Sequence, residues 1–493
     1  MADLYIRQRV NIAMLIRVVG WLMMIEAAFM AIPLAACLWY RESDWPAFVV
    51  SIGVTFLLGL AMTTLVRPER TSMGKREGFL LTAITWVIFS SFGSLPFMIG
   101  IGDISFTDAY FESMSAFTTT GATTIEPVER LSHGLLMWRS VMQWIGGLGI
   151  ILFTLAVIPM LNQQGGMQMF NAEVTGITHE KIRPRVSQTA KGLWIVYILL
   201  TTTLFVLLWL GPMTGFDSLC HSMSVLSTGG ISTCDASIER WNTPYVKIMM
   251  TIFMFIGGVN FSLIYRMGTG NFREAWRNGI LKIFSSVIVV ATVITAIIIV
   301  INRPVELTFE SVVIDPLFQV VSMVTSTGYT LDVFHQWGPL VFLVMMLLIL
   351  SGGCAGSTSG GAKIDRFVVL FQHCRNEIER CLHPNAILSV RANGKVVPRD
   401  LVTKTVVFLC LFIMIIFAGT IVLTAMGVGI NHSMMLSVIS ITNSGITVPS
   451  VAVDTEFVNI PDAGKWVLSF IMLVGRLELF TVLLLFNHNF WRK

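Results

Sequence analysis

Apolar stretches of about 20 residues recur along this chain, and they constrain its fold more than any other feature. A helix of that length crosses the hydrocarbon core of a bilayer, and the chain holds about ten such stretches. Of its 493 residues, 54% are hydrophobic and 13% are charged, whereas a soluble domain carries about 25% charged residues. A soluble globular protein is excluded, and the pattern predicts an all-α polytopic membrane protein.

The basic residues lie mostly on one side of the predicted spans. By the positive-inside rule, this side is the cytoplasm, which places both termini there. The cytoplasmic loops are then 67–78, 162–191, 266–282 and 365–404. The opposite loops carry most of the acids, which would raise the local cation concentration, although each acid can also be an ordinary solvated loop residue. These acids are Asp103, Asp108, Glu126, Asp217, Asp235, Glu310, Asp315 and Asp332.

One pattern occurs four times after an N-terminal hairpin of two spans. Each unit has an outgoing apolar helix, a short semi-polar segment, a Thr/Ser-Gly turn and a returning helix. The predicted hairpin and units span residues 1–66, 79–161, 192–268, 280–364 and 402–490, with a cytoplasmic linker at 365–404. Fourfold recurrence predicts four pseudo-symmetric units around one axis.

The semi-polar segments are too short to cross a membrane but long enough for a helix of three turns. They cover Asp108–Gly121, Asp217–Gly229, Asp315–Gly328 and Asn431–Gly445. We expect their first residues to be helix N-caps. Each helix would then enter from outside and direct its partly negative C-terminal end toward the axis, where it stabilises a cation.

The turns behind these helices are the predicted ion-binding residues. Non-helical backbone at membrane depth is tolerated when it is buried in protein or lines a water-filled cavity. Glycine can turn carbonyl oxygens toward an axis, and Ser and Thr hydroxyls add oxygen ligands. The turns align Gly121, Gly229, Gly328 and Gly445, and the predicted filter comprises Thr119, Thr120, Gly121, Ser227, Thr228, Gly229, Ser326, Thr327, Gly328, Asn443, Ser444 and Gly445. A single such turn would be ordinary; four at one phase of a repeat predict a pore for monovalent cations.

Two features below the predicted filter are candidate gates. Residues 351–361 interrupt the third returning helix with glycines that disfavour helix by roughly 1 kcal/mol each; they are Gly352, Gly353, Gly356, Gly360 and Gly361. Close helix packing through small residues is the alternative. Arg476 is the one basic residue that the sequence places deep inside a span, where it opposes cation passage unless it moves; a structural ion pair, with Glu478 nearest in sequence, is the alternative.

Other chemistry finds little support in the sequence. The seven cysteines have no metal-ligand spacing, and Cys220 and Cys234 are expected to be free thiols although a disulfide is possible. The spans hold no nucleophile paired with a base, so an enzyme is not predicted. A secondary transporter that couples sodium or protons to a solute is the main alternative, but that class favours inverted repeats, whereas these four run in the same direction. Glu26, in the first span, is expected to serve packing or dimer contacts.

The motifs together resemble the Trk/Ktr/HKT superfamily of potassium transporters, within it the bacterial TrkH/TrkG branch, over essentially the whole chain. Besides the four turns, they are Gln143-Trp-Ile-Gly-Gly-Leu-Gly149, Phe255-Ile-Gly-Gly-Val-Asn260, Gly166-Met-Gln168, Ile182-Arg-Pro-Arg185, Ser351-Gly-Gly-Cys-Ala-Gly-Ser-Thr-Ser-Gly-Gly361 and Gly475-Arg-Leu-Glu-Leu-Phe480. The N-terminal hairpin favours Trk over Ktr. The fourth turn departs from the usual Gly-Pro-Gly, because Ile446 follows Gly445, so preference for potassium over sodium stays open.

The resemblance implies a potassium uptake pore within one chain, with potassium as substrate and no organic cofactor. It also implies a homodimer in the bacterial inner membrane, surrounded by lipid, with no nucleic acid partner. Control is expected from a cytoplasmic TrkA-like subunit, to which any bound nucleotide would belong. In agreement, Gly360-Gly-Ala-Lys363 lacks the spacing of a phosphate-binding loop.

Overall fold

The computed structural model describes residues 10–68, 73–147, 149, 186–302, 306–386, 388–445 and 457–491. The motifs at 166–168 and 182–185, the residues after Gly445 in the fourth turn and the end of the first returning helix lie outside the described residues. The fold is an all-α membrane architecture with an N-terminal hairpin and four helix, re-entrant turn, helix units, as the sequence predicts.

The N-terminal hairpin consists of two spans that cross closely. The first runs from Ile12 to Tyr40 as the helices Ile12–Phe29 and Ala31–Tyr40, and the second is the helix Trp45–Leu65. Their backbones meet at Gly20 and Gly59, where a Cβ on either glycine would lie 2.7 Å from the carbonyl oxygen of the other. Small residues at this crossing let two apolar helices pack without a hydrophobic driving force from water.

The four units repeat the same order of elements. The outgoing helices are Lys75–Gly93 with Leu95–Gly100, Val186–Trp209, Gly279–Asn302 and Arg399–Ala425. The re-entrant helices are Phe106–Phe117, Gly215–Leu226, Asp315–Val324 and Ile430–Thr442. The returning helices begin as His133–Gly147, Pro244–Gly258, Pro339–Ser351 and Asp462–Arg476. These units are called units 1 to 4 below.

The returning helices of units 2 to 4 are broken. In unit 2, Pro244–Gly258 meets Phe261–Gly268 at 106°, and in unit 4, Asp462–Arg476 meets Phe480–Phe486 at 112°. The sequence predicts a break in unit 3 only; the apolar composition of the other two conceals theirs. Within the described residues, six continuous helices and these two bent pairs are long and apolar enough to cross a membrane.

The re-entrant helices begin slightly differently from the prediction. Ser105 and Thr214 are the N-caps of the first two, and their hydroxyls accept the backbone N–H of Asp108 and Asp217, three residues later. The predicted aspartate caps are therefore wrong, because the shorter hydroxyl side chain reaches the third N–H. In units 3 and 4, the residues at the cap position are Ile314 and Gly429. The direction of the helix dipoles is unchanged.

Smaller elements join the units. The linker after unit 3 contains the helix Ile364–Leu382 and a two-stranded antiparallel hairpin, Arg391–Ala392 with Lys395–Val396. The other short helices are Val128–Arg130, Glu239–Trp241, Phe272–Arg277, Glu310–Ile314, Asp332–Trp337, Leu484–Phe486 and His488–Trp491; helix 480–486 above consists of Phe480–Leu483 and Leu484–Phe486.

Candidate ion pathway

Each re-entrant helix ends in the same strained turn. One residue of each turn is not a glycine, yet its φ is positive: 56° at Thr119, 53° at Thr228, 53° at Ser326 and 49° at Asn443. It is the second residue after the helix in units 1 to 3 and the first in unit 4. A left-handed conformation at such a residue costs about 1–3 kcal/mol and persists where the surroundings impose it. The same strain at one position of all four units marks these turns as a built feature.

These four residues correct one alignment made from the sequence. Counting from them, the third position of each turn is Gly121, Gly230, Gly328 and Gly445, so Gly230 replaces Gly229 in unit 2. The φ values of Gly121, Gly230 and Gly328 are 84°, 75° and 91°, which confirms the register. Two adjacent glycines made either choice possible in sequence. Ser227 accordingly matches Thr118, and its hydroxyl donates to the carbonyl oxygen of Ser224.

The four glycines form a closed ring. A Cβ on Gly121 would overlap the carbonyl oxygen of Gly229 in unit 2, and a Cβ on Gly230 would overlap that of Thr327 in unit 3. A Cβ on Gly328 would lie 3.4 Å from the backbone of Gly445, whose own Cβ would overlap backbone atoms of unit 1. Each turn therefore touches the next in the order 1, 2, 3, 4, 1. A side chain has no room at Gly121, Gly230 or Gly445, and at Gly328 it would be strained by the positive φ.

A cavity of about 470 Å³ opens on one side of this ring. All four glycines line it, together with Glu126, Asp235 and Arg139. The chain segments that follow the turns of units 1 and 2 form its wall. A cavity with two carboxylates above a ring of backbone oxygens suits a site where a hydrated cation gathers before it loses water.

The ring offers oxygen ligands on a dry, buried scaffold. Thr119, Thr120, Thr228, Ser326 and Thr327 have no solvent exposure, and Asn443 and Ser444 are equally buried. The hydroxyls of Thr118 and Thr120 lie 2.8 Å apart, and those of Thr325 and Thr327 lie 2.7 Å apart. A hydroxyl that donates to a neighbour keeps lone pairs for a cation. The partly negative C-terminal ends of the four re-entrant helices stand behind these oxygens.

Side chains that the sequence did not single out hold the ring from behind. Gln143, on the returning helix of unit 1, donates to the carbonyl oxygen of Gly229 at 2.7 Å and accepts the Ser224 hydroxyl at 2.7 Å. Glu112 accepts the N–H of Thr124 at 3.2 Å and is paired with buried Arg139 at 2.6 Å. The signal that could have found them in the sequence is a polar residue on the buried face of a helix.

Several acids of the predicted outer face form ion pairs between units. Lys247 of unit 2 contacts Asp315 at 2.6 Å and Glu310 at 2.8 Å in unit 3, and Lys465 of unit 4 contacts Asp108 of unit 1 at 2.5 Å. These carboxylates therefore join units, whereas Glu126 and Asp235 line the cavity.

Arg476 is consequently not the one basic residue inside a returning helix. Arg139, Lys247 and Lys465 are also buried there, each facing an acid that lies far away in sequence. Each of these cations lies in a mostly apolar helix and is tolerated there because an acid on another helix pairs with it. The sequence did not reveal these pairs, because the two partners are not neighbours along the chain.

The glycine-rich segment lies against the opposite side of the ring. It leaves the helix at Gly352, and φ is positive at Gly352, Gly356 and Gly361. Thr358 donates to the carbonyl oxygens of Leu226 and Gly257 in unit 2, at 3.0 and 3.1 Å. Two further hydrogen bonds run to the turns of units 3 and 4: Gly360 N–H to Ser326 Oγ at 2.5 Å and Gly361 N–H to Thr442 O at 3.0 Å.

Arg476 completes this contact with unit 1. Its guanidinium donates to Thr119 Oγ1 at 3.2 Å, to Gly147 O at 2.8 Å and also to Gly146 O. It further donates to Thr358 O of the glycine-rich segment at 3.0 Å. Glu478, the nearest acid in sequence, contacts Arg366 at 2.6 Å. The segment and Arg476 together reach all four units below the ring.

Other candidate residues from the sequence lie elsewhere. Cys220 and Cys234 are free thiols. Glu26 is fully buried, and neither carboxylate oxygen has a hydrogen-bond partner within the described part of the chain. Ligand atoms of Cys37, Glu42 and Asp44 lie within 4.8 Å of one another. Their carboxylates accept hydrogen bonds from Ser132, His133 and Gly134, so they serve the start of a returning helix.

Comparison with known proteins gives a consistent result. The TrkH family, described as cation transport protein, matches residues 46–270 and 278–493. The Trk system potassium uptake protein TrkH of Salmonella typhimurium is 34% identical over 480 residues, which cover 97% of this chain and 99% of that protein. TrkG of Escherichia coli, with the same system name, is 30% identical over 477 residues, which cover 96% of this chain and 97% of its own.

A solved structure has the same fold. The crystal structure of the potassium transporter TrkH from Vibrio parahaemolyticus superposes with a TM-score of 0.89 at 31% identity, covering 98% of this chain and 100% of that one.

Proposed function

Because this chain belongs to the TrkH family of cation transport proteins, we propose that it forms a pore through which potassium ions enter the cell. The observation that carries this proposal is the closed ring of four glycines between a cavity on one side and Arg476 on the other. Cations would gather in the cavity, lose water onto ring oxygens and pass inward, driven by about 2.3 kcal/mol per charge per 100 mV of membrane potential.

The proposed filter follows the corrected register. It comprises Thr119 to Gly121, Thr228 to Gly230, Ser326 to Gly328 and Asn443 to Gly445. Re-entrant turns that belong to four units of one chain support a filter without oligomerisation. The alternative, a transporter that couples ions to a solute, lacks a corresponding feature, because the four units have the same order and direction rather than an inverted one.

The glycine-rich segment and Arg476 are the proposed gate. Both lie directly below the ring, and the segment reaches units 2, 3 and 4 by hydrogen bonds from Thr358, Gly360 and Gly361. A guanidinium beside the path opposes a cation electrostatically until it moves. The broken returning helices give irregular backbone of the kind found at transport sites.

The relatives support a proposal for the membrane, the oligomeric state and the partner of this pore. Their names place them in a Trk system, which supports a multicomponent assembly. We place the chain in the bacterial inner membrane as a homodimer with cytoplasmic termini. A nucleotide-binding subunit would act from the cytoplasm through the linker 365–404, and the relatives are transporters rather than enzymes.

Ion flux through proteoliposomes tests the pore and its filter. Purified protein should carry electrogenic rubidium or potassium uptake, and Gly121→Ser should lower that uptake at least tenfold, because the new side chain overlaps the carbonyl oxygen of Gly229. Gly53→Ser is the matched control, since a Cβ at Gly53 has nothing within 4 Å. Potassium-selective flux that survives Gly121→Ser would remove the filter assignment, and wild-type protein without flux would remove the pore.

A further inference from the structure

Three of the four turns are held from behind by side chains at two fixed positions of the re-entrant helix. One position lies seven residues before the strained turn residue and the other lies four residues before it. The first holds Glu112, His221, Gln319 and Leu436 in units 1 to 4, and the second holds Ser115, Ser224, Ser322 and Ile439. We call these eight residues the brace positions.

Units 1 and 3 use both positions in the same way. Ser115 Oγ donates to the carbonyl oxygen of Ala122 at 2.6 Å, and Ser322 Oγ donates to that of Tyr329 at 2.7 Å, the residue after the ring glycine in each case. Two residues after this carbonyl, the backbone N–H donates to the side chain at the first brace position. Thr124 N–H donates to Glu112 Oε2 at 3.2 Å, and Leu331 N–H donates to Gln319 Oε1 at 3.2 Å.

Unit 2 uses the same two positions with one added residue, and it holds a different carbonyl, that of Gly229 just before its ring glycine. Ser224 Oγ donates to Gln143 Oε1 at 2.7 Å, and Gln143 in turn holds the carbonyl oxygen of Gly229 at 2.7 Å. His221 Nε2 lies 3.2 Å from the hydroxyl of Ser232, in the chain beyond the ring glycine. Three of the four turns are thus held on their outward side by hydrogen bonds from buried side chains.

Unit 4 has hydrocarbon side chains at both brace positions. Leu436 and Ile439 are fully buried, and neither can donate or accept a hydrogen bond. Hydroxyl groups near this turn are also unpaired: within the described residues, those of Ser437, Ser440 and Ser444 have no hydrogen-bond partner. Neither brace position of unit 4 can therefore make the hydrogen bonds that hold the chain beyond the ring glycine in units 1 and 3. The strained turn residue of unit 4 is held by its own side chain instead: Asn443 Nδ2 donates to Met472 O at 2.9 Å and to Thr120 Oγ1 at 3.1 Å.

An unbraced quadrant has a direct consequence for ion selection. A ring discriminates potassium from the smaller sodium ion when its oxygens keep their number and orientation and do not close onto the smaller ion. Hydrogen bonds from the brace positions restrict movement of the chain beyond the ring glycine, so a quadrant that lacks them yields more easily. We propose that Leu436 and Ile439 set the potassium-over-sodium selectivity of this pore, because without hydrogen bonds at both brace positions the fourth quadrant of the ring yields to sodium more readily than the other three.

This proposal rests on the pore function, and it is tested by adding the missing braces. Leu436→Gln with Ile439→Ser gives unit 4 the residues of unit 3. Sodium competition against rubidium-86 uptake into proteoliposomes should then weaken at least about threefold, the effect of part of one net hydrogen bond. Leu436→Met with Ile439→Val is the matched control; it changes the same positions without adding a polar atom and should leave competition unchanged.

The converse variant keeps the test decisive if the added braces prevent folding. Gln319→Leu with Ser322→Ala gives unit 3 the apolar character of unit 4 and should strengthen sodium competition. The proposal is overturned if uptake persists and the sodium-to-potassium competition ratio is the same in wild type and both brace variants, or if the apolar control shifts it equally. Wild-type protein without any rubidium uptake would contradict the pore function itself, which is a separate outcome.

Discussion

At the scale of single residues, Arg476 combines a charge with a fixed place. Its guanidinium donates to Gly147 O and Thr358 O at 2.8 and 3.0 Å, so the charge is held by backbone carbonyl dipoles of units 1 and 3. Under the proposed function, this charge makes the space below the ring positive.

We expect Arg476→Ala to raise basal rubidium uptake at least about tenfold, because it removes a unit charge beside the proposed path, whose repulsion of a cation at close range is worth about 1–4 kcal/mol between the limits of bulk water and a protein surface. Arg476→Lys keeps the charge and should stay nearer to wild type. Arg375→Ala, at an exposed site on the helix Ile364–Leu382, is the control. Uptake by Arg476→Ala no higher than that of Arg375→Ala would contradict the barrier role.

Residue identity could be predicted better than residue pairing. Gly121, Gly328, Gly445 and Arg476 stood out in the sequence because each is unusual for its segment. The alignment of Gly230 could not be read off, since Gly229 beside it is chemically the same and only the strained φ of Thr228 separates them. The partner of Lys247 was equally hidden, because Asp315 lies 68 residues away.

At the scale of elements, the glycine-rich segment is held by hydrogen bonds to several units. The Thr358 hydroxyl provides two of them, to Leu226 O and Gly257 O in unit 2, and Thr358 is buried. Backbone bonds such as Cys354 N–H to Gly258 O at 2.9 Å provide others, so the Thr358 side chain carries part of the position of the segment. Loss of one buried hydrogen bond typically costs about 1 kcal/mol and leaves its acceptor unpaired at further cost.

Thr358→Val should therefore loosen the segment and raise basal rubidium uptake severalfold while the protein stays folded. Thr203→Val is a matched control, because the Thr203 hydroxyl bonds to its own helix on an exposed face. Uptake and the thermal midpoint of unfolding should be measured on both variants. An unchanged uptake for Thr358→Val at wild-type stability would argue that the segment does not obstruct the path.

The elements themselves were largely predictable, and so was the break in unit 3, but the breaks in units 2 and 4 were not. Hydropathy located the outgoing helices and the short re-entrant ones, because each ends at polar or glycine residues. The 106° bend at Val259 and Asn260 has no proline, and the 112° bend after Arg476 follows a single glycine. Those bends are fixed by contacts such as Asn260 Nδ2 to Ala355 O at 2.7 Å, which come from another unit.

At the scale of the whole molecule, buried ion pairs connect unit 2 to unit 3 and unit 4 to unit 1. Lys247 contacts Asp315 and Glu310, and Lys465 contacts Asp108, at the end where the re-entrant helices begin. A buried pair adds little net stability, but a single partner left alone is costly, by about 3 kcal/mol or more. These pairs therefore specify which unit lies beside which.

Lys247→Met should lower the thermal midpoint of the detergent-purified protein, because Asp315 is left as a buried unpaired charge. The double variant Lys247→Met with Asp315→Asn removes that charge and should recover most of the loss. Equal midpoints for the single and double variants would show that the pair is not a structural connection between units 2 and 3.

The closed ring has a consequence for how the protein is made. Gly445 donates its N–H to Thr120 O, and Asn443 Nδ2 donates to Thr120 Oγ1 at 3.1 Å, so the first and last units of the chain are direct neighbours although 323 residues separate these two partners. During synthesis, units 1 to 3 enter the membrane before unit 4, so the ring is open and its polar inner face is not yet covered. The C-terminal unit closes the ring. A chain that ends before this unit would expose the polar face to lipid and would become a target for membrane quality control.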